Sequence, residues 1–474
     1  MKSSLICYSG EDFSILISET PVCIAELDSQ WDTQKAYFLI RTSSNYINSE
    51  WMEYCRDQSE ILYHQGADVI IKMDPVRVAN FKLPYQSTRI ALQPRTWEIS
   101  MPLFQILDFT VDTFPEIFNY VSEVDTNKIM DAIQHLQDYG TRYCLDTNAV
   151  HAQNWIKEKM EGLGLSVELQ DFPLWSLDPS DNVIASYPGT VLPDEYVIVG
   201  AHYDSYASGN NAPGADDNAS GTSGVLEIAR ILSQYDFEKT LIFCAFSAEE
   251  MGLVGSDAYV NRCKNQGMNI LGYFNLDMIG YRAPGNGLFT DMIYPSTATP
   301  LANFYKGTTA LYVEDFPTNT GFLSGGDSDH TSFNNYGYQG IFPFEDDHGY
   351  SPFIHSAADT IGKSVNSPEL AVKFVQSSLA AAACLAIPVQ NVGIANQNTK
   401  KLVKILSNPS GKNIRFTYTG PKAMYSVYSI NGQLISSASL SGPGNYTINI
   451  TYPGVYILQT RSDKSFTTDK IIVQ

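Results

Sequence analysis

The chain has 474 residues, 44% of them hydrophobic and 17% charged, so it is too long for one core and too apolar for disorder; roughly two to four folded domains are expected. A net charge of −21 repels phosphate backbones and argues against a nucleic-acid partner. The seven cysteines have no CxxC spacing, which argues against a thiolate zinc finger, and without a run of about 18 apolar residues no transmembrane helix is expected.

The first residues, MKSSLICYSGEDF, lack a sustained apolar stretch, so the signal peptide of an exported protein is expected to be absent from the sequence as it stands. Residues 1–115 alternate strand-like runs (14–17, 36–40, 69–71) with a helix-like stretch near 50–66, which predicts a small α+β domain without a catalytic pattern. Residues 116–392 read as α/β. Apolar residues recur at helical spacing through 129–136 and 150–163. Strand-like runs at 195–199, 240–246, 271–276 and 340–344 then alternate with helices at 225–232 and 370–385. This predicts a mostly parallel mixed sheet flanked by helices, with its sites at the C-terminal strand ends. Cys244 and Cys384 fall in apolar runs and read as small buried hydrophobes. Residues 393–401 are polar and suit a linker. Residues 402–474 are short strands separated by Asn408-Pro409, Asn431-Gly432, Gly442-Pro443-Gly444 and Pro453-Gly454, which predicts a β-sandwich.

Polar side chains follow the predicted strands of the middle domain in succession. His202, Tyr203 and Asp204 end the first. Asp216 and Asp217 lie in the next loop, just before a helix. Glu249 and Glu250 end the second strand, Asp277 ends the third, and His355 follows later. Two histidines and three carboxylates without a thiolate suit zinc, cobalt or manganese. Five such ligands suit two ions that share one carboxylate and hold a water between them. Glu249, beside a ligand, is placed to take a proton from that water. Asp204, two residues after His202, can hydrogen-bond the imidazole and fix its tautomer.

The strings HYDS, GADDNASG, SAEE with GLVGS, NLDMIG and IHSAADT, supported by Gly140-Thr141-Arg142, 181–185 and Ser328-Asp329-His330, resemble a family of zinc-dependent exopeptidases. It includes bacterial leucyl aminopeptidases and glutamate carboxypeptidases, and the resemblance covers residues 116–392. It implies two zinc ions, one held by His202 and Asp277, the other by Glu250 and His355, with Asp217 rather than Asp216 as the bridge and Glu249 as general base. It further implies hydrolysis of the N-terminal peptide bond of peptides by the bridging water. The family often uses a tyrosine to stabilise the oxyanion; Tyr350 is the candidate, although tyrosine is abundant here. His330 and His348 read as structural. Phe322, Leu323, Tyr336 and Phe344 hint at an apolar pocket and hence at apolar N-terminal residues.

Residues 402–474 resemble the C-terminal sorting domain of bacterial type-nine secretion, through Leu406-Ser407-Asn408-Pro409, 428–432, 454–458 and the terminal Lys470-Ile471-Ile472-Val473. This implies recognition by a secretion machinery and a secreted or cell-surface protein exported across the outer membrane. The N-terminal domain, ahead of a secreted peptidase, is either a pro-domain or an accessory domain. Glutaminyl cyclases share the fold with one zinc, but differ after the bridging Asp and carry tryptophans near the late His, where this chain has Phe353. A carboxypeptidase needs an Arg cluster that the motifs lack. A non-catalytic surface binding protein has no use for Glu249 beside Glu250.

Overall fold

The computed structural model describes residues 5–9, 14–17, 31–42, 47–84, 87–94, 111–207, 209, 211–323, 327–389, 402–406, 409, 411–429, 434–462 and 465–474. The expected linker at 393–401, Cys23, Asn408 and the Asn431-Gly432 turn lie outside them. The chain divides into two units, Met1–Val389 and Gln390–Gln474.

The first unit is built on an eight-stranded mixed sheet. From edge to edge it runs Thr318–Thr320, Thr290–Ile293, Gly340–Phe344, Asn269–Asn275, Leu192–His202, Lys239–Phe246, Leu177–Tyr187 and Ser166–Leu174. The four middle strands are parallel to one another, while antiparallel pairings flank them on both sides. The middle strands are apolar on both faces because helices cover both. Val197, Val199 and Ala201 face one core, whereas Ile198 faces the other. Leu241, Phe243 and Ala245 alternate in the same way with Ile242, Cys244 and Phe246.

Local chemistry starts the helices where expected. Asp125 caps Thr126–Gln137 and Asp146 caps Thr147–Gly162, each accepting a backbone N–H two residues on. Helix Pro368–Ala386 is capped by Ser367 and buries its small and apolar residues against the sheet. It is long and apolar enough to cross a membrane by length and composition, but most of it is buried inside the fold, as a core helix is.

Ahead of this sheet lies a four-stranded antiparallel one, in the order Glu60–Gln65, Asp68–Met73, Ala36–Thr42 and Ser87–Ala91, with helix Ser49–Gln58. The helix expected at 50–66 therefore stops early. Ser59 is extended, Ile61 and Tyr63 favour a strand, and Gly66 at φ 61° turns the chain back into the next one.

The second unit holds a three-stranded and a four-stranded antiparallel sheet. Val403, Ile414, Phe416 and Ile448 of the first share a core with Val427, Leu458 and Ile471 of the second, which makes it a β-sandwich.

Candidate metal centre

Three neighbouring parallel strands bring their C-terminal ends to one rim. His202 is the last residue of its strand and lies opposite Phe246, after which the next strand gives way to Glu249 and Glu250. Asp277 follows strand Asn269–Asn275 on the other side. Asp217 sits in an irregular turn, Ala215–Ser220, with non-helical backbone just before helix Gly221–Leu232.

At this rim His202 Nε2 lies 3.4 Å from Asp217 Oδ1 and 3.5 Å from Asp277 Oδ1. His355 Nε2 lies 3.2 Å from Asp217 Oδ2 and 3.2 Å from Glu250 Oε2. Asp217 thus offers one oxygen to each of two histidine–carboxylate pairs. Asp277 Oδ1 and Glu250 Oε1 are buried without any hydrogen-bond donor. Buried carboxylate oxygens left so cost about 1–3 kcal/mol or more each, which is the condition of a donor set suited to cations. The oxygen and imidazole donors fit zinc.

The electrostatics agree. Burial opposes charge on His202 and His355, yet the surrounding carboxylates hold both pKa values well above the histidine norm: Asp277, Glu249, Asp204 and Asp217 for His202, and Glu250 and Asp217 for His355. Burial likewise raises Glu249 and Glu250, reinforced by Glu250 for the first and by Asp217 for the second. Asp217 is buried too, but the two histidines hold it below the usual carboxylate range. The site therefore has excess negative charge and attracts positive charge, whether proton or metal.

A surrounding shell fixes these groups. The His202 Nδ1 lies 3.2 Å from the Asp204 carbonyl oxygen and 3.4 Å from its carboxylate. The expected carboxylate partner is thus the more distant one. The Asp204 carboxylate instead accepts the N–H groups of Glu249 and Glu250, at 3.2 and 3.3 Å. Asp359 accepts the N–H groups of Asp216 and Asp217, at 2.9 and 3.1 Å. Ser328 donates to Asp277 Oδ2 at 2.7 Å and itself accepts from Asn275. Arg142, fully buried, donates to the carbonyls of Tyr203, Leu136, Pro213 and Gly214 and so ties down the loop between His202 and Asp217. Burial lowers its pKa to about 10. Ala248, Met278 and His355 all have left-handed backbone, at φ 58°, 51° and 54°. Such residues cost of order 1–3 kcal/mol each and concentrate at functional sites.

The other expected positions separate. Leu323 and Phe344 join an apolar cluster with Met278, Phe342, Tyr350 and Ile354 beside the rim. Tyr336 is buried in the core on the far face of the sheet, and Phe322 is exposed. Tyr350 packs against Phe344. His330 is buried and driven by that burial to a pKa of about 3, so it stays neutral. The His348 side chain is 92% exposed and is not among the clustered donor groups of the described residues. Asp359 and Arg142 stand within strings quoted above, but nothing in a sequence separates a buried brace from its neighbours. Tyr206, whose ring meets His355 edge-on at 5.5 Å, carried no signal at all.

A family model described as peptidase family M28 matches residues 182–378, and one described as a secretion system C-terminal sorting domain matches residues 404–474. A leucine aminopeptidase 1 of Pyrenophora teres f. teres is 30% identical over 354 residues, which span 63% of this chain and 88% of that protein. A probable zinc metalloprotease of the same fungus is 29% identical over 287 residues, 54% of this chain and 56% of that protein, so this chain spans about half the length of such relatives. The LapA aminopeptidase of Legionella pneumophila superposes with a TM-score of 0.61 at 20% identity, covering 74% of this chain and 98% of that one; the likeness is one of fold.

Proposed function

The chain belongs to peptidase family M28, and from that premise we propose that it is a secreted aminopeptidase hydrolysing the N-terminal bond of peptides. In this reading His202 and Asp277 hold one zinc ion, Glu250 and His355 a second, and Asp217 joins the two. The observation that carries it is the division of the Asp217 oxygens between two separate histidine–carboxylate pairs. Bound ions would polarise the scissile carbonyl and acidify water.

Glu249 is the general base: it takes the proton of the attacking water and returns it to the departing amine. Asp204, by gripping the N–H groups of both glutamates, keeps the base and its neighbour aimed at different targets. The cluster of Met278, Phe342, Phe344, Leu323, Tyr350 and Ile354 supports a preference for an apolar N-terminal residue, since Met278 and Ile354 directly adjoin Asp277 and His355 in the chain. The sorting domain at 404–474 supports export to the cell surface or beyond by the type-nine route.

The test is release of free leucine from a Leu-peptide by the protein and by Glu249→Ala, each with two equivalents of zinc. Wild-type release, with a loss of about 10²–10⁴-fold in a variant that keeps its metal, is expected for a general base. A Gln-peptide converted to pyroglutamate with no amino acid released would overturn the reading.

A further inference from the structure

The glutamate pair stands on a tight turn. Glu249 O accepts the N–H groups of Gly252 and Leu253, and Ala248 O accepts that of Val254. Ala248 and Leu253 are left-handed, at φ 58° and 63°, and Gly252 lies at 109°. A turn with two non-glycine residues in this region persists only when its surroundings hold it. On one side Asp204 takes the Glu249 and Glu250 N–H groups.

On the other side the hold comes from the N-terminal four-stranded sheet. Its strand Ser87–Ala91 runs against the turn, where the Ala91 N–H donates to Gly252 O at 2.9 Å. Arg89 Nη2 donates to the carbonyl oxygen of Glu250, and Nη1 to that of Val78 at 3.0 Å. Gly252 fits so closely that a Cβ there would stand 2.7 Å from the Ala91 nitrogen. Met251 and Val254 continue into a core shared with Phe38, Ile71 and Phe81. Arg89 itself is only 5% exposed, lies over the Phe38 ring, and forms no salt bridge among the described residues. A buried guanidinium without a carboxylate is unfavourable as mere filling. Its hydrogen bonds go to backbone oxygens, and one of those belongs to Glu250.

We propose that Arg89 is a positioning residue for the Glu249–Glu250 turn, so that the N-terminal sheet is a working part of the metal centre and not a removable cover. Fixing the Glu250 carbonyl fixes the peptide planes beside it, and with them the directions in which the two carboxylates leave the chain. The proposal rests on the reading of Glu250 as ligand and Glu249 as base.

The test compares full-length Arg89→Met and Arg89→Lys with Ile71→Ala, which loosens the same core without touching the guanidinium. In the chelated protein, the Glu250, Gly252 and Leu253 amides of Arg89→Met are expected to exchange at least about tenfold faster, as the turn opens locally. Affinity for one of two zinc equivalents is expected to fall about 10–100-fold, the range for a lost brace behind a ligand. kcat on a Leu-peptide falls with KM little changed, and Arg89→Lys recovers part of each loss. Ile71→Ala lowers the unfolding midpoint without these effects. Native exchange and native zinc affinity in Arg89→Met would overturn the proposal, as would Ile71→Ala moving both as far as Arg89→Met does. If the wild type releases no leucine, the aminopeptidase reading fails by itself, and amide exchange and zinc titration still decide the role of Arg89.

Discussion

His202 faces three carboxylates and His355 two, all at 3.2–3.5 Å, and the consequence is measurable before any substrate is added. Burial alone would lower their pKa values, but the carboxylates outweigh it and raise both well above the ordinary histidine value. A proton held more tightly in the folded than in the unfolded chain stabilises the fold below the unfolded pKa. That contribution is lost as pH rises through the folded value. Glu249 and Glu250, raised chiefly by burial, act in the same direction, because ionising them in place is unfavourable. Chelated protein is therefore expected to lose stability as pH rises above about 6.5. Zinc-loaded protein, with cations in place of those protons, is expected to lack that slope or reverse it. Urea unfolding of both forms across this range checks it. A chelated form whose stability is flat or rising with pH would mean that the two histidines do not hold protons among these carboxylates.

At the scale of elements, the rim was legible because strand, turn and polar side chain recur in order. Each of His202, Asp217, Glu250 and Asp277 sits where a buried run meets a helix start or a loop, and the chain announces both. The hairpin from Ser166–Leu174 to Leu177–Tyr187 was not legible as such, since its first strand alternates mostly exposed residues and gains its place only through its partner. The stretch at 50–66 misled because its first half is a true helix and nothing apolar marks the break at Ser59. The contact between strand Ser87–Ala91 and the glutamate turn joins residues far apart in the chain, and no local pattern carries it.

One close approach between elements gives a sharp test. Helix Gly221–Leu232 begins so near the end of the Asp277 strand that a Cβ on Gly221 would lie 2.1 Å from the Leu276 oxygen and 2.4 Å from Asn218 Oδ1. Leu276 O is also the acceptor for the Asn218 amide. Gly221→Ala must push helix and strand apart, and is expected to lower stability by about 1–3 kcal/mol or more, as overpacking does. Gly267→Ala, at φ 66° with nothing within 4 Å, meets strain of its own backbone alone and serves as the comparison. Urea midpoints of the two variants measure the difference; equal midpoints would show that the helix start is not packed as described.

At the scale of the whole molecule, the proposed chemistry falls within one of the two units. Every proposed ligand, the base and their braces lie within Met1–Val389. Gln390–Gln474 has its own sandwich core, from Val403 and Phe416 to Leu458 and Ile471, and supplies no member of the His202, Asp217, Glu250, Asp277 and His355 set. A core of its own makes a unit separable in principle, because what it buries does not depend on its neighbour. Truncation after Val389 is therefore expected to leave kcat/KM for a Leu-peptide and the zinc stoichiometry unchanged in the purified protein. In a cell that possesses the type-nine machinery, the same truncation is expected to hold the enzyme inside the outer membrane, since the residues matched to the sorting domain, 404–474, are gone. Fractionation with leucine release as the readout separates the two effects. Lost activity in the purified truncated chain would give the sandwich a part in catalysis, whereas full export without it would remove the sorting role and leave residues 404–474 needing another.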